Sequence, residues 1–166
     1  MREFKFRAWD KMRSRMLYSE DFHSVSFRTS GDIFTAYPKE KKGLSSKSIL
    51  ISSETGYLMQ SIGLKDSKNV EIYEGDIVRW DDGSTNRQHL SEKAIYWRVA
   101  QVVYEPGCFI FRPIPGKSIN CNPTSDFKCG SFMYSPDASA YENIMEIIGN
   151  IYESPELLAG EKQSTV

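Results

Sequence analysis

A mainly β protein is the fold class this sequence predicts, on three observations. Aromatic residues make up 13% of the chain and stand with β-branched residues in short runs, the side chains that fit a pleated, half-buried surface. Those runs are separated by clusters of Gly, Pro, Asn and Ser, the punctuation of turns rather than of long helices. The third is a single stretch, residues 64–80, that reads as a polar turn, a short apolar anchor, a glycine corner and a strand. Within it Asn69 suits the positive φ of a turn. Gly75 allows a sharp bend before Asp76, and Ile77, Val78 and Trp80 supply the strand. A glycine-aspartate corner feeding an Ile-Val strand is a common beginning of a small β-barrel.

The strands follow in order from periodicity. Residues 2–9 alternate, with Phe4, Phe6 and Ala8 on the core-facing side and Glu3, Lys5, Arg7 and Trp9 on the other, as in a half-buried strand. After a turn at Asp10-Lys11, Met16-Leu17-Tyr18 returns as its partner. Residues 22–28 and 32–37 flank Thr29-Ser30-Gly31 as a second hairpin. Residues 38–48 lack core material and read as a mobile loop or linker. A short strand at 48–52, a turn at Glu54-Thr55-Gly56 and a segment at 57–60 lead into the central stretch.

Beyond Trp80, residues 81–93 are a long polar loop. Segments 96–104 and 108–112 form a hairpin across Glu105-Pro106-Gly107, where proline presets one turn position and glycine the next. Residues 113–140, rich in Pro, Gly, Ser and Asn, read as an elaborated loop with one short strand at 131–134. One helical turn at 141–145 precedes a last strand at 146–152, with a glycine bulge or close contact at Gly149. Ser154-Pro155-Glu156 caps and opens a short C-terminal helix ending at Gly160. The tail, 161–166, frays.

Composition narrows the function classes. A chain of 166 residues holds one domain, or a domain with an appendage, and a core that needs no staples. Three cysteines, Cys108, Cys121 and Cys129, leave at least one thiol unpaired, which fits a reducing cytoplasm. The N-terminus has no apolar leader pattern, and no run approaches the roughly 18 apolar residues of a membrane span. A soluble, cytoplasmic protein with no membrane partner is expected. The net charge of −1 conceals an asymmetry: residues 1–50 hold 11 Lys/Arg against 6 Asp/Glu, and residues 51–166 hold 10 against 16. Such a chain suits polyanion binding at one end or head-to-tail packing of copies.

Reactive constellations are thin. The cysteines are separated by 12 and 7 residues, without the close pairing of structural zinc ligands, so neither metal nor cofactor is expected. His23 and His89 lie far apart, and no nucleophile elbow, phosphate loop or His-Glu-x-x-His pattern occurs. No catalytic residue is therefore assigned. Glu71, Glu74, Asp76, Asp81 and Asp82 cluster around the central strand, where turn capping explains them better than acid-base chemistry. The strongest functional pattern is cationic and aromatic interleaving in Arg2, Lys5, Arg7, Trp9, Lys11, Arg13 and Arg15. It makes this face the candidate contact for nucleic acid or a protein partner.

Several pieces carry a family resemblance. They are Arg2-Glu3-Phe4-Lys5-Phe6-Arg7-Ala8-Trp9-Asp10 with Met16, then Leu58-Met59-Gln60 and Gly63-Leu64-Lys65-Asp66. Glu71-Ile72-Tyr73-Glu74-Gly75-Asp76-Ile77-Val78 follows, and Ile148-Gly149-Asn150-Ile151-Tyr152-Glu153 with Pro155-Glu156-Leu157-Leu158 closes the set. In order and spacing the chain resembles the YopX family of phage and prophage proteins. It departs at Ser61-Ile62, where members often carry an aromatic and Thr, and at Lys68-Asn69, where they carry Asn-Gly. The resemblance implies a phage or prophage origin, an SH3-like barrel starting near Glu74 and no established chemistry.

The expectation is thus an N-terminal β region over 1–63, an SH3-like β-barrel over 64–160 and a short C-terminal helix. Asn69, Gly75, Asp76 and Gly149 are its structural corner. The expected function is a non-enzymatic phage accessory and interaction module that forms a homo-oligomer or binds a host or phage protein. Nucleic-acid binding by the basic N-terminal face is the alternative.

Overall fold

A computed structural model describes residues 4–27, 34–38, 51–81, 97–115, 117, 127–128 and 144–159. The chain divides into two units, Met1–Ser61 and Ile62–Val166. Among the described residues its regular elements are antiparallel strands and two single 3₁₀ turns, at Ser19–Asp21 and Pro155–Leu157.

In the first unit, β1 (Phe6–Asp10) pairs with β2 (Arg15–Leu17), Trp9 lying opposite Met16. β3 (Phe22–Phe27) and β4 (Phe34–Pro38) form the second hairpin, whose connecting turn lies outside the described residues. β5 (Ile51–Ser52) joins the far side of β4. β6 (Gly56–Lys65) pairs with β1 over residues 56–60 and then crosses the unit boundary as one ten-residue strand. In the central stretch Leu64 and Lys65 still belong to β6, and the turn that the sequence places around Asn69 runs from Asp66 to Val70.

β1 also corrects the expected core face. Ala8 is fully buried, but Phe4 is 63% exposed and Arg7 only 4% exposed. Its registers explain this. Arg7 lies opposite buried Met59, and Phe4 lies before β1, which begins at Phe6.

The second unit carries β7 (Glu71–Tyr73) and a five-stranded sheet. That sheet comprises β8 (Asp76–Asp81), β9 (Trp97–Glu105), β10 (Cys108–Pro113), β11 (Phe127–Lys128) and β12 (Glu146–Asn150), in the order β11-β10-β9-β8-β12. The β9–β10 hairpin closes at Pro106-Gly107, with Gly107 at φ +94°, the left-handed position that only glycine takes without strain.

β8 is buried on both faces, which period-two alternation delivers to two apolar clusters. Val78 and Trp80 join Ile62, Ile72, Ala100, Val102, Phe111 and Met145, with Trp80 edge-on to Phe111 at 6.0 Å between ring centres. Ile77 joins Val99 and Ile114, packed by Ile148 and Leu157. Such a strand reads as a continuous apolar run, which is what Ile77-Val78 signals.

β12 pairs with β8 through a bulge between Ile147 and Gly149. Gly149 also makes the close contact: an added Cβ would stand 2.7 Å from Ser154 Oγ and 2.8 Å from Leu157 Cδ1. The expected C-terminal helix is only the 3₁₀ turn at Pro155–Leu157, and Ser154 does not cap it with its side chain. Asn150 is the reason. Its Oδ1 accepts the N–H groups of Tyr152 and Glu153, and its carbonyl accepts that of Ser154, so the chain is turned before a helix can start. Within 113–140 the described strand after β10 is β11; the expected strand at 131–134 lies outside the described residues, as do most of the two long loops and 141–143 of the expected helical turn.

Candidate interaction surfaces

The predicted corner residues gather in the second unit around two buried aspartates. Asp66 ends β6 with Oδ1 accepting the N–H groups of Lys68 and Val70, both at 2.9 Å. This is an Asx turn, the local bonding for which Asp competes so well. Asn69 sits in it at φ +64°. The Asp66 Oδ2 reaches the N–H of Ile147 at 3.3 Å, and Ser67 N–H donates to the Met145 carbonyl at 2.7 Å, so the turn is tied to β12. At the other aspartate, Asp76 Oδ2 accepts the Tyr73 N–H at 2.8 Å. Gly75, at φ +82°, donates to Val102 and accepts from Ile151.

On the surface of this corner Glu146 bridges two cations. Lys68 Nζ lies at 2.7 Å, and Arg79, its cross-strand neighbour, at 2.6 Å through Nη2. The Lys68 hydrogen bond, then that of Arg79, holds the Glu146 carboxyl below its ordinary value. The Glu146 hydrogen bond and charge hold the Lys68 ammonium above its own. Two residues from Lys68 and from Glu146 along the chain stand two exposed apolar side chains, Val70 at 51% and Ile144 at 40% exposure.

The first unit carries the basic hairpin. Asp10, buried at the end of β1, accepts the N–H groups of Met12 at 3.0 Å and Arg13 at 3.2 Å through Oδ1. Its Oδ2 lies 3.0 Å from Arg13 Nη1 and 3.7 Å from Arg15 Nε. Lys11 Nζ stands 4.0 Å above the centre of the Tyr57 ring and donates to the Glu54 carbonyl. Exposed Met12 and Tyr18 complete the edge.

Of the predicted basic face, Lys11, Arg13 and Arg15 are brought together here. Half-buried Trp9 lies opposite Tyr57, and Lys5 lies further along the chain before β1. Arg7 leaves the set because it is buried, and Arg2 lies outside the described residues. Sequence reasoning passed over Asp10, Asp66, Asn150 and Glu146. The first three had a signal in hindsight, an Asx side chain immediately before a turn. Glu146 had none, because its partners are distant in sequence.

Cys108 is a half-buried free thiol; Cys121, Cys129 and His89 lie outside the described residues, as does the side chain of His23. Among the described residues no three His, Cys, Asp or Glu side chains converge in a metal-binding cluster, and no helix is long and apolar enough to cross a membrane.

Among the described residues, antiparallel sheets and carboxylate-pinned turns define a mainly β protein with almost no helix. A family model described as YopX protein matches residues 5–159, and the chain belongs to the YopX family. No curated protein matches it. Among solved structures it is similar to the crystal structure of protein EF1440 from Enterococcus faecalis. The two are 26% identical with a TM-score of 0.55, over 96% of this chain and 100% of that one.

Proposed function

We propose that this chain is a phage or prophage accessory protein, acting in the host cytoplasm as a non-enzymatic interaction module that associates with copies of itself. Membership of the YopX family supports the origin. The second unit supports an SH3-like reading: β8, β9, β10 and β11 succeed one another as antiparallel neighbours, and β12 returns beside β8. A non-enzymatic role is supported by the use of Asp10, Asp66 and Asp76, each of which accepts backbone N–H groups within a turn.

The observation that carries self-association is the Asp66 corner. A symmetric contact needs one patch that complements itself. Val70 and Ile144 offer apolar area, while Lys68, Arg79 and Glu146 offer both signs of charge on the same corner. Two copies related by a twofold axis would bury the apolar pair and exchange the ion pairs.

Light scattering at low and high salt tests this. The native chain is expected to exceed monomer mass, and Val70→Glu to return it to monomer with unchanged circular dichroism. A native chain that stays monomeric at every accessible concentration refutes the reading.

A further inference from the structure

We propose that the β1–β2 hairpin of the first unit is a binding site for single-stranded nucleic acid, a function separate from self-association at the Asp66 corner and independent of it. The turn is fixed before any ligand arrives. Asp10 holds the Met12 and Arg13 amides, Lys11 N–H donates to the Thr55 carbonyl at 3.0 Å, and Ser14 is locked in the left-handed region at φ +48°. A turn pinned in this way presents Lys11 and Arg13 from its tip and Arg15 from the adjoining strand without further ordering.

The charges favour an anion. Arg13 and Arg15 share the buried carboxylate of Asp10, and Lys11 adds a third cation at the same turn, so positive charge is in excess over Asp10 at the tip. The first unit as a whole carries 11 Lys/Arg against 7 Asp/Glu over residues 1–61. Phosphates drawn to such a tip release their counterions, which makes the binding salt-dependent.

The ring beside the cations favours a nucleic acid over another polyanion. Tyr57 is 44% exposed, and the Lys11 ammonium lies 4.0 Å from its ring centre. A nucleotide engages both groups when its phosphate draws the ammonium off the ring and its base takes the face so bared. Trp9 lies opposite Tyr57 in the register, on the same sheet face. A duplex hides its base faces and cannot use Tyr57, so a single strand is the better ligand.

The full-length chain and a fluorescein-labelled oligothymidylate of about 12 nucleotides, followed by anisotropy between about 50 and 200 mM salt, provide the test. Three neutralised phosphates predict a log–log salt slope of about −2. Lys11→Gln should flatten that slope, and Tyr57→Ala should weaken binding roughly tenfold at unchanged slope while Tyr57→Phe binds like the native chain. Both side chains are exposed, and circular dichroism verifies that the variants fold. No binding at 50 mM salt overturns the proposal. So does equal competition by a duplex or by polyglutamate, or native-like binding by Lys11→Gln and Tyr57→Ala.

Discussion

Asn69 holds φ +64° in the Asp66 turn, a conformation that costs most L-residues about 1 kcal/mol and glycine nothing. Asn69→Ala should therefore lower stability by about 1 kcal/mol in urea unfolding, and Asn69→Gly should leave it within a few tenths. Equal losses for both would place the effect in the Asn side chain, which also accepts from Lys65. Gly149 is constrained by space instead. A methyl there meets Ser154 Oγ, Ser154 Cβ and Leu157 Cδ1, all inside 3 Å. Gly149→Ala should cost roughly 1–3 kcal/mol, the range for forcing an extra carbon into a packed site. Adding Ser154→Gly removes two of the three clashing atoms and should recover part of the loss, a coupling that a double-mutant cycle measures.

Among elements, the connection from β6 to β7 depends on Asp66 more than on its own contacts. Asp66→Ala leaves the amides of Lys68, Val70 and Ile147 without their acceptor. The three bonds are only partly buried, so at about 1 kcal/mol each a loss of roughly 3 kcal/mol is expected. Amide exchange should quicken at Ile147, far along the chain in β12, and an unchanged Ile147 rate would refute the tie. The ion pairs outside this turn have a pH signature. Glu146 binds its proton less readily folded than unfolded, because Lys68 and Arg79 hydrogen-bond the carboxylate. Its contribution is complete above the ordinary carboxylate pKa of about 4.3 and disappears as pH falls through the lower folded value. Lys68 is raised, so its contribution is complete below the ordinary lysine value and is lost as pH rises through the folded one. The stability difference between the native chain and Glu146→Gln should accordingly be flat near neutrality and vanish in acid. High salt should shrink it, since these groups are solvent-facing. A difference at pH 2 as large as at pH 7 would contradict this.

At the scale of the whole molecule, the two proposals fall in different units: self-association on the Asp66 corner of the second and nucleic-acid binding on the basic hairpin of the first. Substitutions at sites that share no partner are additive. Val70→Glu should abolish association and leave oligonucleotide affinity per chain intact, and Lys11→Gln should do the reverse. Scattering and anisotropy on the two variants and their combination check this independence. Loss of both activities in either single variant would mean that association builds the nucleic-acid site.

Features governed by a few neighbouring residues were legible in the sequence. The Pro106-Gly107 hairpin, the bend at Gly75, the left-handed Asn69, the bulge near Gly149 and the β8 run of Ile77-Val78 all follow from local φ/ψ preference and alternation. What depends on register was not legible. Arg7 alternates with the charged set yet is buried opposite Met59, and Phe4 alternates with the core set yet is exposed. The Asp66 link to Ile147 spans 81 residues, and the Arg79 link to Glu146 spans 67. By itself, then, the sequence determined the class of fold, the turns at Asn69, Gly75 and Gly107 and the basic character of the first hairpin. The tertiary structure alone decided which cations reach the surface and which carboxylates hold distant strands together, because those outcomes depend on which strand lies opposite which, and no local preference carries that information.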